Sequence, residues 1–241
     1  MLRPKRWNVI MSLISFGKKL IKKNPSLTLA LAPLHNGIFG FNRKRINGKM
    51  NKIHGINGSF LTKTKIRIIG NNNVIEFGHT CFLQECNIFI LGDNNHVILG
   101  DKFYGIKAEF WLQDDNNFIE IGEGTTIGGL THLAATEGTK ISIGKDCMFS
   151  SDIAIRTGDS HAIYTKDTTT RINPALDVLI GDHVWLGNKT ILLKGTQIPD
   201  DSIVGSGAIV TNKFLEPNIV IAGTPGRVIK ENIHWTRDRI S

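Results

Sequence analysis

One glycine-closed pattern returns along this chain at a fixed interval, and that regularity limits the possible folds more than any other feature. The run Gly70-Asn71-Asn72-Asn73-Val74-Ile75-Glu76-Phe77-Gly78 aligns with Gly92 to Gly100 and with Asp114 to Gly122, and the closing glycines 78, 100, 122 and 144 are spaced by 22 residues. Farther on the interval shortens, with Gly187, Gly205 and Gly223 spaced by 18. Over that stretch an aliphatic residue recurs every six places, at Ile180, Leu186, Leu192, Ile198, Val204 and Val210, and Ile143, Phe149 and Ile155 are earlier members of the series. Four places after each of these heads sits a residue that is mostly small: Cys147, Val184, Thr190, Thr196, Ser202 and Ala208. Large heads and small fifth residues would fill a narrow prism in which each hexad is one short strand and three hexads are one coil, stacked about 4.8 Å apart. The pattern predicts an all-β parallel β-helix over 68–226, between an extension at 1–67 and a tail at 227–241. A helix would need a spacing of 3.6 and a sandwich would need hairpin turns, and the sequence has neither pattern.

The rhythm fails once. From Ile155 the next head falls at position 161, a histidine, and the series resumes only at Ile180. Residues 162–178, with Tyr164, Arg171 and Asn173-Pro174, therefore read as a loop extruded from the stack. In a one-dimensional stack such insertions gather on the face where ligands bind.

Charge is distributed unevenly. No acidic residue precedes Glu76, whereas 15 of the 29 Lys and Arg do, so a basic arm joins a mildly acidic body. Within the arm, residues 5–23 mix apolar side chains with Lys18, Lys19, Lys22 and Lys23 and are expected to form a helix ending at Asn24-Pro25. Such a helix could lie on an anionic membrane surface as a peripheral contact, or pack on its own domain or a neighbouring subunit. Residues 35–65 read as an irregular basic loop region. Nucleic-acid binding is not expected, because no helix-turn-helix, zinc or aromatic RNA-binding signature accompanies the charge. Three cysteines without paired spacing, and no run of 18 apolar residues, point to a reducing cytoplasmic setting without disulfides or an ordinary spanning helix.

The hexads, together with Ile180-Gly181-Asp182-His183-Val184-Trp185-Leu186-Gly187 and Ile221-Ala222-Gly223-Thr224-Pro225-Gly226-Arg227-Val228-Ile229-Lys230, resemble the hexapeptide-repeat acyltransferases. Within them, residues 141–237 look most like bacterial capsule O-acetyltransferases acting on polysialic acid. The resemblance implies a left-handed β-helix, acetyl-CoA as co-substrate without a metal, and a homotrimer with CoA in the groove between neighbours. General crossover rules alone would have suggested the right hand. In the family a histidine precedes the tryptophan of the V-W-[IL]-G motif by 24 residues, the separation of His161 and Trp185.

That resemblance makes His161 the expected general base, since a sugar hydroxyl attacks a thioester poorly unless its proton is removed as the bond forms. Without it, a core histidine bonded to a carbonyl would be the simpler reading. Asp159, at a fifth-place position, could orient the imidazole or could be a solvated turn residue. Trp185 should point outward, lining the acceptor or pantetheine path or packing on an adjacent subunit. Candidates for holding CoA are Trp185, Gly187, Gly205, Ser206, Thr211, Lys213, Arg227 and Lys230, with the three cations meeting phosphates. The family's Thr-Lys is Thr211-Asn212-Lys213 here, one place displaced. Ser160, Tyr164 and Arg171 are candidates for contacting the carbohydrate acceptor.

Two other classes fit less well. The zinc carbonic anhydrases of this fold have a close histidine pair that is absent here, and Cys81, Cys86 and Cys147 read as small core residues. A purely structural β-helix gives no reason for the interruption beside His161. Transfer to a capsular or other surface polysaccharide is the expected activity, and N-acylation of a nucleotide-linked amino sugar is the alternative.

Overall fold

The computed structural model describes residues 25–167 and 169–238. Three parallel sheets wrap a single apolar core, and the chain visits them in rotation, so each circuit is one coil of a triangular prism. Sheet A has eight strands, beginning with Arg43–Asn47 and ending with Ile209–Val210. Sheet B has seven, from Lys52–His54 to Gln197–Ile198, and sheet C has nine, from Phe60–Thr62 to the antiparallel closing strand Arg227–Lys230.

The two sequence intervals are the two coil lengths. Ile75 pairs with Val97, and Val97 with Ile119, whereas Ile180 pairs with Ile198 and Leu186 with Val204. All nine heads from Ile143 to Val210 are buried, as are Cys147, Val184, Thr190, Thr196, Ser202 and Ala208 at the fifth places. Each large aliphatic head contributes about 1.5–3 kcal/mol by leaving water.

The asparagines of the longer repeat have a separate cause. Asn51, Asn73, Asn95 and Asn117 stack in one column at successive coil corners. Asn73 and Asn117 each donate an amide proton to the Oδ1 of the asparagine below at 3.0 Å. The same oxygens accept the backbone N–H of the residue above, as Asn73 does for Asn95 at 2.8 Å. A buried corner has no strand partner for its N–H groups, and the column supplies one on every coil. At the closing glycines the coils approach so closely that a Cβ on Gly100 would stand 2.6 Å from the Glu123 nitrogen.

The stack starts earlier than the sequence pattern suggests. Residues 43–62, expected as part of a loop-rich extension, form the first coil, with Arg43 to Asn47 in register with Lys65 to Ile69. Its strands escape the repeat pattern because an end coil is covered on one side only, so exposed residues such as Arg43, Lys44 and Arg45 are tolerated there. Before it, Pro25–Leu34 is a helix whose first residue is proline, a position where the missing N–H costs nothing. Ala32 of that helix packs on Phe60 and Phe82. Asn36 caps the open edge, accepting from the Leu61 N–H and donating to the Ser59 carbonyl, both at 2.8 Å. The basic amphipathic stretch 5–23 lies outside the described residues. Among the described residues no helix is long and apolar enough to cross a membrane.

At the other end, 227–238 is not a free tail. Arg227–Lys230 pairs with Val220–Ala222, and Trp235 is buried, stacked on His183 with centroids 4.0 Å apart. Its indole N–H donates to the His183 carbonyl at 3.0 Å, while Arg237 donates to the Cys147 carbonyl at 2.6 Å and pairs with Asp146 at 2.7 Å.

Candidate active site

The insertion leaves sheet A after Ile153–Arg156 and re-enters the stack in sheet B at Val178–Ile180. It therefore spans 158–177, beginning before His161 and ending one residue short of the expected 178. Position 161 is not a hexad head turned inward. Thr157 is the last buried residue before the exposed start of the loop, accepting from the Thr139 hydroxyl at 2.6 Å, and both Asp159 and His161 are exposed.

A small polar lattice gives this loop one shape. Its hub is Asn173, which is buried. The Asn173 side chain donates to the His161 carbonyl and to Asp159 Oδ2, each at 2.8 Å, and accepts the Ile163 N–H at 2.7 Å. The Tyr164 backbone bridges Arg171 in antiparallel fashion, and the Ile172 N–H donates to the Ile163 carbonyl at 2.9 Å. The coils on either side clamp the loop. Glu137 meets Arg171 through two parallel bonds of 2.7 Å, the fork geometry favoured by guanidinium and carboxylate. Lys194 donates to Asp159 Oδ2 and to the Asn173 carbonyl. The guanidinium holds the Glu137 carboxyl below the usual range, and Lys194 followed by Asn173 does the same for Asp159.

These contacts revise two expected roles. Asp159 is committed to Lys194 and Asn173, and among the described residues no hydrogen bond joins it to the His161 ring. Arg171 is committed to Glu137, so it shapes the loop. Ser160 and Tyr164 remain exposed, Ser160 with a positive φ of 65° that turns the chain toward His161. The lattice residues Glu137, Asn173 and Lys194 escape sequence reading because Glu137 and Lys194 lie on coils before and after the insertion that holds Asn173, and only Asn173-Pro174 signals a turn.

Trp185 lies elsewhere. It projects from sheet C, 37% exposed, with Trp235 beside it at 6.0 Å between centroids. Along that sheet Trp185 is in register with Ile203, then Val220, then Lys230, so Lys230 stands three strands above the indole in one outward row. Gly187, Gly205 and Ser206 form the adjoining corner, where a Cβ on Gly187 would meet the Ser206 nitrogen at 2.6 Å. Arg227 belongs to the same end of sheet C. Thr211 and Lys213 lie on the other side, following the last strand of sheet A, with Lys213 bridged to Gln197 of sheet B. The residues expected to hold CoA thus form two groups, one around Trp185 and one at the A/B corner with His161. Within one chain that corner is the edge of the prism opposite sheet C.

The three cysteines are buried, and burial pushes Cys81 and Cys147 up to about 12 and Cys86 to about 11, which leaves no thiolate nucleophile. Among the described residues no group of three His, Cys, Asp or Glu side chains is arranged as a metal site.

Comparison with known proteins adds to this geometry. No protein-family model matches the chain. The polysialic acid O-acetyltransferase of Neisseria meningitidis is 40% identical over 113 residues, covering 47% of this chain and 52% of that protein. The enzyme of the same name from Escherichia coli O1:K1 is 35% identical over 117 residues, covering 48% of this chain and 38% of that protein. The matched stretches thus span about half or less of these curated relatives. Among solved structures, the polysialic acid O-acetyltransferase OatWY superimposes with a TM-score of 0.78 at 37% identity, covering 83% of this chain and 92% of that one. The chain belongs to the hexapeptide-repeat acyltransferases. This acyltransferase-family prism is accordingly a left-handed β-helix. The polySia-specific acetyltransferase NeuO, 28% identical with a TM-score of 0.72, has the same architecture over 83% of this family member.

Proposed function

We propose that the chain is an acetyl-CoA-dependent O-acetyltransferase that modifies sugar hydroxyls of a capsular or other surface polysaccharide, with His161 as general base in a homotrimer. The observation that carries this reading is the exposed His161 on a loop held to one shape by Asn173, in a chain 37% identical to OatWY across 92% of that structure. The His161 ring takes the proton of the attacking hydroxyl as its oxygen bonds to the thioester carbonyl carbon. The C–S bond then breaks, and the imidazolium returns the proton to the departing CoA sulfur. No acyl-enzyme is needed, in keeping with the buried cysteines.

The placement of His161 and Trp185 on opposite sides of the prism supports a site shared between neighbouring copies. A cyclic trimer presents the A/B corner of one subunit to another surface of the next, a head-to-tail contact that closes. Lys230 and Arg227 of one subunit, with Lys213 of the other, offer exposed cations to phosphates, and the glycine corner lets an extended chain lie close to the backbone. These residues suit CoA by charge and by shape.

CoA release from acetyl-CoA, followed by thiol titration with polysialic acid, neutral capsular oligosaccharides and nucleotide amino sugars, tests the reading. The expected outcome is turnover only with a polysaccharide, lowered at least ~100-fold by His161→Ala. Turnover confined to an amino sugar would replace the proposal with N-acylation, and an undiminished His161→Ala rate would remove His161 as the base.

A further inference from the structure

The three faces of the prism differ sharply in charge. The eight strands of sheet A carry six Lys or Arg (Arg43, Lys44, Arg45, Lys65, Arg67 and Arg156) and one acidic residue, Glu109. Sheet B carries two Lys and two Glu, and the strands of sheet C carry no acid at all. Four of the sheet A cations, Arg43, Arg45, Lys65 and Arg67, line a groove of about 370 Å³ together with Phe89 and Trp111. Among the described residues none of the four is in an ion pair with a carboxylate. Glu109 is itself engaged, accepting from Asn87 at 2.9 Å and facing His132 at 3.9 Å.

Strand register aligns these side chains. Arg45, Arg67, Phe89, Trp111, Ala134 and Arg156 occupy successive places in one row, and Phe89, Trp111 and Arg156 all reach the surface. Five strand spacings of about 4.8 Å separate its ends, about 24 Å in all. The Arg67 guanidinium lies 5.5 Å from the centre of the Phe89 ring, and Phe89 and Trp111 are 4.4 Å apart, so the row passes from bare cations to an aromatic ledge. Arg156 is the last residue of the strand from which the His161 loop departs.

We propose that this row is a track that binds a linear anionic polysaccharide, one whose sugars carry carboxylates, and leads it to the His161 loop. The inference rests on the polysaccharide reading above and adds where the acceptor is held. Guanidinium groups grip carboxylates through paired N–H donors, and an aromatic ledge takes the apolar face of a sugar ring. Neither a copy of the same face nor the strands of the other two faces complement this charge, and an external polyanion does. The track favours long acceptors, because a short one reaching the loop leaves Arg45 and Arg67 unoccupied.

The full chain and its Arg45→Gln/Arg67→Gln and Trp111→Ala variants would be compared on long polysialic acid and on a short sialic acid oligomer, by acetyl transfer and, separately, by affinity electrophoresis. In the variants kcat/KM on the long polymer is expected to fall at least ~10-fold and on the short oligomer less than ~2-fold, with a weaker salt dependence on the long one. Equal losses on both acceptors, or none, would overturn the track. The same holds if single-stranded RNA of equal charge binds more tightly than polysialic acid, or if dextran of equal length binds as well. Retarded migration in polysialic acid that depends on Arg45 and Arg67, without transfer to any acceptor, would keep the track and remove the proposed reaction.

Discussion

His161 and Trp185 stand on opposite sides of one prism, the histidine at the corner between sheets A and B and the indole on sheet C. A pair so placed can serve one reaction only when a second copy brings its sheet C to the first copy's loop. Subunits carrying His161→Ala and subunits carrying Trp185→Ala should each be nearly inactive alone. Mixed in equal amounts, unfolded and refolded together, they should regain about a quarter of native specific activity, because about one interface in four then joins an intact histidine to an intact tryptophan. No recovery would mean that the two side chains do not share a site across subunits.

The loop that carries His161 owes its shape to a bidentate pair and one buried amide. Replacing Arg171 by Lys keeps the charge but loses the two parallel bonds to Glu137, so it should not restore function. Acetyl transfer by Arg171→Lys should drop about 10-fold in kcat, with the KM for acetyl-CoA little changed. The 158–177 segment should also be cut faster by protease. A variant with native kcat would show that the clamp is dispensable.

Glu137 and Asp159 both have carboxyls held below their usual range, by Arg171 and by Lys194. A lowered folded value means that the charged form is favoured by folding. The contribution is therefore complete above the ordinary carboxylate range, about pH 4, and is lost as pH falls through the lower folded values. Protease cutting within 158–177 should stay slow from neutrality to about pH 4.5 and accelerate below that while the coil core remains folded. Acceleration on raising the pH toward neutrality would contradict the assignment.

The thiols provide an independent check on the core. Cys81, Cys86 and Cys147 are free, buried and held protonated, so the native protein should not react with a chromogenic disulfide reagent at pH 8 and should react fully in denaturant. Fast native reaction of any one of them would place it outside the core described above.

Sequence alone determined the prism. Its interior admits a large side chain and then a small one at fixed intervals, so six-residue and 22-residue rhythms are written directly in Ile180 to Val210 and in the asparagine runs before Gly78, Gly100 and Gly122. The break at position 161 was legible for the same reason, since a periodic pattern reveals where it stops. The first coil was hidden because its outer side packs on no further coil, which relaxes the demand for apolar residues at 43–62. Tertiary structure decided what holds the loop of the histidine: Glu137, before the insertion, and Lys194, after it, meet Arg171 and Asn173 of the insertion only because stacking superimposes the coil corners. It also separated Trp185 from His161, two residues that the family resemblance had paired, because each turn of the chain through three faces sets its residues on different sides of the molecule.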